Sequence, residues 1–188
     1  MSTAFDPEWT IRRMVATMVP LLATLSVLQM ISGTVLETFE TTLLANPALL
    51  ILVPVQIGTA GNLASIMCSR LTTQLHLGTF ELHPANPGVR ANTVAVFGLA
   101  ATVFGVVGVA AWLIGTTIGG VLTLPQVVTI SMLSGLLLAL LVVVLSLVSV
   151  SASYRLGFNP DDTTIPIVTN LCDITGVLIL FGVVVLVV

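Results

Sequence analysis

The chain has 188 residues, of which 56% are hydrophobic and only 7% charged, with a mean hydropathy of +1.16. A soluble domain carries about 25% charged residues to keep its surface in water, so this composition excludes an ordinary soluble protein. Five arginines and eight acidic residues give a net charge of −3, which leaves no basic surface for a nucleic acid partner. The sequence therefore predicts a chain whose main surroundings are the lipid bilayer.

The few charges divide the chain into apolar runs, which can be compared with the roughly 20 residues that a helix needs to cross a bilayer. The longest run, from Ala91 to Tyr154, has 64 residues and fits two helices, with a turn at Gly119, Gly120 and Pro125. We predict an all-α, multi-pass membrane protein, because the runs show no strand-like alternation. Its five spans lie at about 11–33, 46–69, 93–118, 126–151 and 164–187.

The arginines set the orientation, because positive side chains are retained on the cytoplasmic side of short loops. If the N-terminus is cytoplasmic, all five lie inside: Arg12, Arg13, Arg70, Arg90 and Arg155. The C-terminus is then extracytoplasmic, and we expect the plasma membrane as the location. Since every copy inserts the same way up, chains in an oligomer are predicted to be parallel.

Two spans carry small and polar residues along one helical face. In span two they are Pro54, Gly58, Gly61, Asn62, Ser65 and Ser69, and in span five they are Pro166, Thr169, Asn170, Asp173 and Gly176. Close helix packing explains the glycines and serines on their own. Spans three and four are apolar all round, which indicates a lipid-facing scaffold.

Asp173 changes the interpretation of these faces, because a carboxylate near the bilayer centre costs roughly 2.5 to 3.5 kcal/mol. No arginine lies at a matching depth to neutralise it. Helical rise places Asp173 and Asn62 both about 12 to 17 Å from the cytoplasmic ends of their helices, so they can meet near the membrane centre. Their oxygens, with carbonyls freed near Pro54, Pro166 and Gly58, make an all-oxygen site that suits Mg²⁺ or Ca²⁺.

A single carboxylate supplies little charge for a divalent ion. Two parallel chains about a twofold axis along the membrane normal would bring together two Asp173 carboxylates and two Asn62 amides. We therefore predict a homodimer of ten helices with the ion path at its interface. The chain is interpreted as a transporter of divalent cations rather than an enzyme.

Two segments carry a resemblance to a known family. The segments 54–71, PVQIGTAGNLASIMCSRL, and 157–176, GFNPDDTTIPIVTNLCDITG, resemble the second and fifth helices of MgtE-type magnesium transporters, especially their eukaryotic solute carrier branch. The resemblance implies a homodimeric Mg²⁺ channel or transporter whose pore is lined by spans two and five. It implies ion-site roles for Asp173 as the acidic ligand, for Asn62 of the glycine-rich motif, and for the carbonyls of Gly58 and Thr169. Asn170 belongs to the same predicted site.

The chain departs from the bacterial pattern at residues 60–64, where it has AGNLA and bacterial members have GGNAG. Bacterial members also carry a large cytosolic sensor, whereas span one begins here after only ten residues. We therefore expect one transmembrane domain over residues 1–188, without that sensor. Gating is then either absent or supplied by a separate regulatory subunit.

Acidic residues near the ends of the spans are candidate mouth residues. Glu37 and Glu40 would attract cations at the outer mouth of a dimer, although ordinary solvated loop charges explain them nearly as well. Asp162 would act at the inner mouth, where helix capping is the alternative, and capping is the favoured role for Asp161.

The remaining ligand-type residues are interpreted structurally. His76, Glu81 and His83 would suit a transition metal, but the glycines and prolines around them favour a solvated loop. Cys68 and Cys172 lie in apolar runs, so they indicate packing residues rather than a disulfide.

Two other functions would also use an intramembrane acid such as Asp173. Proton- or Na⁺-coupled export is one, although a pocket for an organic cation would need more than the 5% aromatic residues present. Intramembrane aspartyl hydrolysis is the other, and it is disfavoured because the sequence has no G-x-G-D motif.

Overall fold

The computed structural model describes residues 11–80 and 86–188. Within these ranges the chain forms the helices α1 (Ile11–Thr38), α2 (Glu40–Ala45), α3 (Pro47–His76), α4 (Pro87–Thr117), α5 (Leu124–Arg155) and α6 (Pro160–Val187). Five of them, all except the six-residue α2, are long and apolar enough to cross a membrane. The prediction of an all-helical protein with five spans is confirmed.

Prolines mark the starts of the helices, because the first turn of a helix leaves its amide groups without partners in any case. The helices α3, α4 and α6 begin at Pro47, Pro87 and Pro160, and α5 has Pro125 in its first turn. The helices are longer than the predicted spans, since backbone hydrogen bonding continues into polar turns beyond the apolar run. For example, α3 continues to His76, whereas span two was predicted to end at 69.

The segment between α1 and α3 forms the short helix α2, which the sequence did not predict. Phe39, which precedes α2, stacks on Phe181 of α6 with ring centroids 4.1 Å apart. The Asn46 side chain closes the turn before Pro47, because its Nδ2 donates to the Thr42 carbonyl at 2.9 Å. This corner is thereby attached to the C-terminal part of α6.

The helix α5 lies at the centre of the bundle, in contact with α3, α4 and α6. Ser131 of α5 donates a hydrogen bond to the Phe104 carbonyl of α4 at 2.7 Å, and Ser146 accepts one from Cys68 of α3 at 3.4 Å. Both serines are buried. The expectation that span four faces lipid all round is therefore wrong, because its serines lie on a buried face where they bond to neighbouring helices.

The helix α1 is attached much more loosely. Among the described residues it contacts only α2 and α6, and its backbone does not come within 8 Å of α3. Leu25 is the one α1 side chain found buried among those described. Both α1 and α3 contact α6, so α6 forms the floor of a groove between them. We call this the α1–α3 groove; Gln29, Gly61 and Asp173 lie in it.

Gly135 permits the close approach of α4 and α5, since a Cβ there would overlap the ring of the buried Phe104. We predict that Gly135→Ala lowers the melting temperature of the detergent-purified protein, because overpacking a core costs about 1–3 kcal/mol. The matched control is Gly98→Ala on α4, where no atom lies within 4 Å of the added Cβ. The control should melt at or above the wild-type temperature. Equal melting temperatures for the two variants would contradict this packing.

Candidate functional site

Asp173 lies near the middle of α6, about 20 Å of helical rise beyond Pro160. Its two carboxylate oxygens have different surroundings. Oδ2 accepts a hydrogen bond from Nε2 of Gln29 on α1 at 3.0 Å. Oδ1 is buried and has no hydrogen-bond partner among the described residues. One carboxylate oxygen is therefore held by a donor, whereas the other is buried without one.

Gln29 is the site residue that sequence reasoning missed. It is the only carboxamide of α1, and it follows the buried Leu25 by one helical turn, on the side that faces α6. A polar amide within the apolar run around Val27 to Ile31 was the available signal, because polar groups inside a membrane need partners.

Gly61 of α3 forms the opposite side of the α1–α3 groove. A Cβ on Gly61 would lie 3.7 Å from Oδ1 of Asp173, so the glycine-rich segment of α3 approaches the free carboxylate oxygen. The next residue, Asn62, is therefore close to Asp173 in depth, in agreement with the estimate from helical rise. Its side chain, however, is exposed and makes no hydrogen bond to any other described residue.

The exposed position of Asn62 is shared by one whole face of α3. Pro54, Gly58 and Ser69 are also exposed on this face. The single chain thus brings Gly61 to Asp173 but leaves the polar stripe of span two uncovered. An amide such as that of Asn62 is costly against lipid unless a partner or water satisfies it.

Thr169 and Asn170 lie one turn before Asp173 and are partly buried. The Thr169 hydroxyl donates to the Ile165 carbonyl at 2.8 Å, and Nδ2 of Asn170 donates to the Pro166 carbonyl at 2.8 Å. These bonds use the Thr169 hydroxyl donor and one of the two N–H donors of Asn170 within α6. Their oxygens remain as acceptors, which adds to the oxygen-rich character of this part of α6.

The N-terminal end of α6 is organised by side-chain hydrogen bonds. Asn159 caps the helix, since its Oδ1 accepts from the Asp161 amide at 3.2 Å, while its Nδ2 donates to Asp162 at 3.2 Å. Asp161 instead pairs with His76 of α3 at 3.2 Å, with both side chains exposed. The side-chain cap is therefore Asn159, one of the capping residues that the sequence offers at this end. Asp161, which was favoured for that role, lies in the first turn and bonds to His76 instead.

The other sequence candidates lie away from Asp173 or outside the described ranges. Glu37 and Glu40 are exposed at the corner between α1 and α2. Glu81 and His83 lie outside the described residues. Within residues 11–80 and 86–188, no group of three or more His, Cys, Asp or Glu side chains could hold a metal ion. Cys68 and Cys172 are free and fully buried.

The turn of α6 from Thr169 to Asp173, with Gln29 beside it, therefore offers carboxylate, amide and hydroxyl oxygens. Oxygen ligands of this kind suit hard divalent cations such as Mg²⁺ and Ca²⁺. One chain supplies only one carboxylate, which is half the charge that a divalent cation needs for neutrality.

Comparison with known proteins identifies the family. The MgtE family model, described as a divalent cation transporter, matches residues 53–183, which include Asn62 and Asp173. The chain belongs to the MgtE family. The match confirms the resemblance inferred from segments 54–71 and 157–176, and it places the chain among transporters rather than enzymes.

Curated relatives of this MgtE-family chain include solute carrier family 41 member 3 of Rattus norvegicus and of Mus musculus. The chain is 31% identical to the rat protein over 136 residues, which cover 70% of this chain and 29% of the relative. It is 30% identical to the mouse protein over 136 residues, which cover 70% of this chain and 28% of the relative. The chain therefore spans less than a third of the length of these solute carriers.

We predict that position 173 can be reached from water through the groove. We expect Asp173→Cys, in a Cys68→Ala, Cys172→Ala background, to react with a small charged thiol reagent, because position 173 is partly exposed in the groove. Adding Gly61→Leu should slow the reaction severalfold, since a Cβ on Gly61 already reaches van der Waals distance of the Asp173 side chain. Ser146→Cys is the matched control; Ser146 is fully buried in the same bundle, so it should stay unlabelled. Equal labelling of positions 173 and 146 would contradict an open groove.

Proposed function

We propose that this MgtE-family chain carries Mg²⁺ across the plasma membrane through a pore lined by α3 and α6, with Asp173 as its ion-binding carboxylate. The main support is Oδ1 of Asp173, a buried carboxylate oxygen without a partner among the described residues, halfway along a membrane-spanning helix. A charge at this depth costs about 2.5 to 3.5 kcal/mol on insertion scales. A bound cation would compensate that cost.

Mg²⁺ sheds its water reluctantly, so the proposed site binds the ion with part of its hydration shell. Water molecules of that shell donate hydrogen bonds, and the site offers acceptors at Asp173, Asn170 and Thr169. The exposed Gly58 of α3 adds a backbone carbonyl on the other wall. Binding through such outer-sphere contacts is weak enough to allow release, as conduction requires.

A second, parallel copy completes the site in this proposal. The exposed face of α3 places the unpartnered Asn62 where a lipid contact would be unfavourable. A twofold axis beside this face would cover it and bring a second Asp173 to the pore. Two carboxylates would then balance the charge of one divalent ion.

The charged residues near the helix ends indicate which end of the proposed pore faces the cytoplasm. The end that carries Arg70, Arg90 and Arg155 is assigned to the cytoplasm. Asp162 then lies at the inner mouth, while Glu37 and Glu40 lie at the outer mouth, where exposed carboxylates raise the local cation concentration.

Transport should depend on the charge of Asp173. We predict that Asp173→Asn abolishes Mg²⁺ uptake into proteoliposomes, because the amide keeps the shape of the carboxylate but loses its negative charge. Asp161→Asn is the matched control; it makes the same change at an exposed position of the same helix and should transport normally. Wild-type flux through Asp173→Asn would rule out this site.

The dimer is tested by cross-linking in membranes. In a Cys68→Ala, Cys172→Ala background, Asn62→Cys should form a cross-linked dimer with a short bifunctional thiol reagent. The control is Val106→Cys on α4, which is 66% exposed and lies on a helix that contacts only α3 and α5 among the described helices. We expect no dimer at position 106. A transport-competent Asn62→Cys protein that does not cross-link would contradict the proposed interface.

A further inference from the structure

Gln29 links α1 to the proposed ion site. Among the hydrogen bonds of the described residues, the bond from Gln29 to Asp173 is the only side-chain bond that joins α1 to another helix. The family match begins at residue 53, so it does not cover α1.

We propose that Gln29 is a second ion-site residue of the pore, which orients Asp173 through its amide and offers its own carbonyl oxygen to the hydrated cation. This inference rests on the proposed function, because it assumes that Asp173 binds the transported ion. It adds to that function a residue from a helix that was not expected to reach the site.

The hydrogen bond from Gln29 fixes the orientation of the Asp173 carboxylate. A carboxylate rotates about its last bond, and without a fixed donor its two oxygens exchange places. Nε2 of Gln29 holds Oδ2 at 3.0 Å, which keeps Oδ1 directed towards Gly61 and the α3 side of the groove. Hydrogen bonds to charged groups are about twice as strong as neutral ones, so this contact is suited to a positioning role.

The carbonyl oxygen of Gln29 is the group proposed to contact the hydrated cation. Its Nε2 is committed to Asp173, whereas its Oε1 accepts no hydrogen bond from another described residue. Because Oε1 and Nε2 belong to one amide group, this oxygen lies beside the carboxylate. The chain then presents two neighbouring oxygen groups from different helices, which can accept hydrogen bonds from two water molecules of a hydrated Mg²⁺.

Simple packing explains Gln29 poorly. The helix α1 has little buried surface, and its inward side is otherwise marked by the buried Leu25. A leucine or methionine at position 29 would fill the contact with α6 without placing an amide in the membrane. Only a polar side chain such as the Gln29 amide can donate a hydrogen bond to the Asp173 carboxylate that faces it.

The test compares the kinetics of Mg²⁺ uptake by full-length variants in proteoliposomes. Gln29→Leu should raise KM about tenfold, the loss expected for a hydrogen bond to a charged group, while the maximal rate stays close to wild type because the Asp173 charge remains. Gln29→Asn keeps both amide functions on a shorter side chain and should raise KM about threefold. The matched control is Thr24→Leu, which replaces an exposed polar residue of the same helix and should leave KM unchanged.

Every outcome bears on the proposal. An unchanged KM for Gln29→Leu, or a lower maximal rate with an unchanged KM, would overturn it, because a merely structural residue behaves in that way. If Gln29→Leu does not elute as a folded protein, Gln29→Asn decides by the same criterion. Normal transport by Asp173→Asn would defeat the proposed function itself. Loss of transport in Asp173→Asn together with an unchanged KM in the Gln29 variants would defeat this inference alone.

Discussion

The carboxylate of Asp173 in the low-dielectric interior of a bilayer is the constraint on which the rest of the structure depends. A charge there must find donors, counter-charges or water, since lipid offers none of them. The bundle supplies one donor from Gln29 and leaves Oδ1 buried beside Gly61, without a partner among the described residues. A fully neutralised aspartate would be a structural link, whereas a half-satisfied one is suited to bind and release a cation.

The packing of the other helices allows that arrangement to persist. The α5 helix holds α3, α4 and α6 together through apolar contacts and buried serine hydrogen bonds. Close approach at Gly135 tightens the contact between α4 and α5. Because α3 and α6 are fixed against this centre, Gly61 and Asp173 keep their relative positions. Among the described residues the helix α1 contacts only α2 and α6, so α1 leaves the exposed face of α3 that carries Asn62 uncovered.

The two walls of the groove differ in chemistry. The α3 wall is small where Gly61 approaches Asp173, since a Cβ there would lie 3.7 Å from Oδ1. The α1 wall contributes an amide that bonds directly to the carboxylate. In the proposed function, a hydrated cation would meet a small residue on one side and an oriented carboxylate on the other, which is compatible with the slow dehydration of Mg²⁺.

The number of spans could be predicted from sequence, because apolar length and scarce charge are local properties that the bilayer selects directly. The proximity of Asp173 to the glycine-rich segment around Asn62 could be predicted for a related reason, since helical rise converts position in the chain into position along the helix. Family membership could also be predicted, from the two short segments 54–71 and 157–176. The burial of Ser131 and Ser146 was not predicted, because apolar residues lie on every side of α5 and only the packing of α3, α4 and α6 selects its buried face.

Sequence alone therefore determined that this chain belongs to the MgtE family, with five candidate membrane-spanning helices and an acid, Asp173, inside the last of them. Tertiary structure decided which groups surround that acid. It placed Gln29 of α1 against Asp173, left Asn62 facing outwards, and gave the cap of α6 to Asn159 rather than Asp161. The physical reason is that depth follows from rise along one helix, whereas the partners of a side chain depend on how helices rotate and pack against one another.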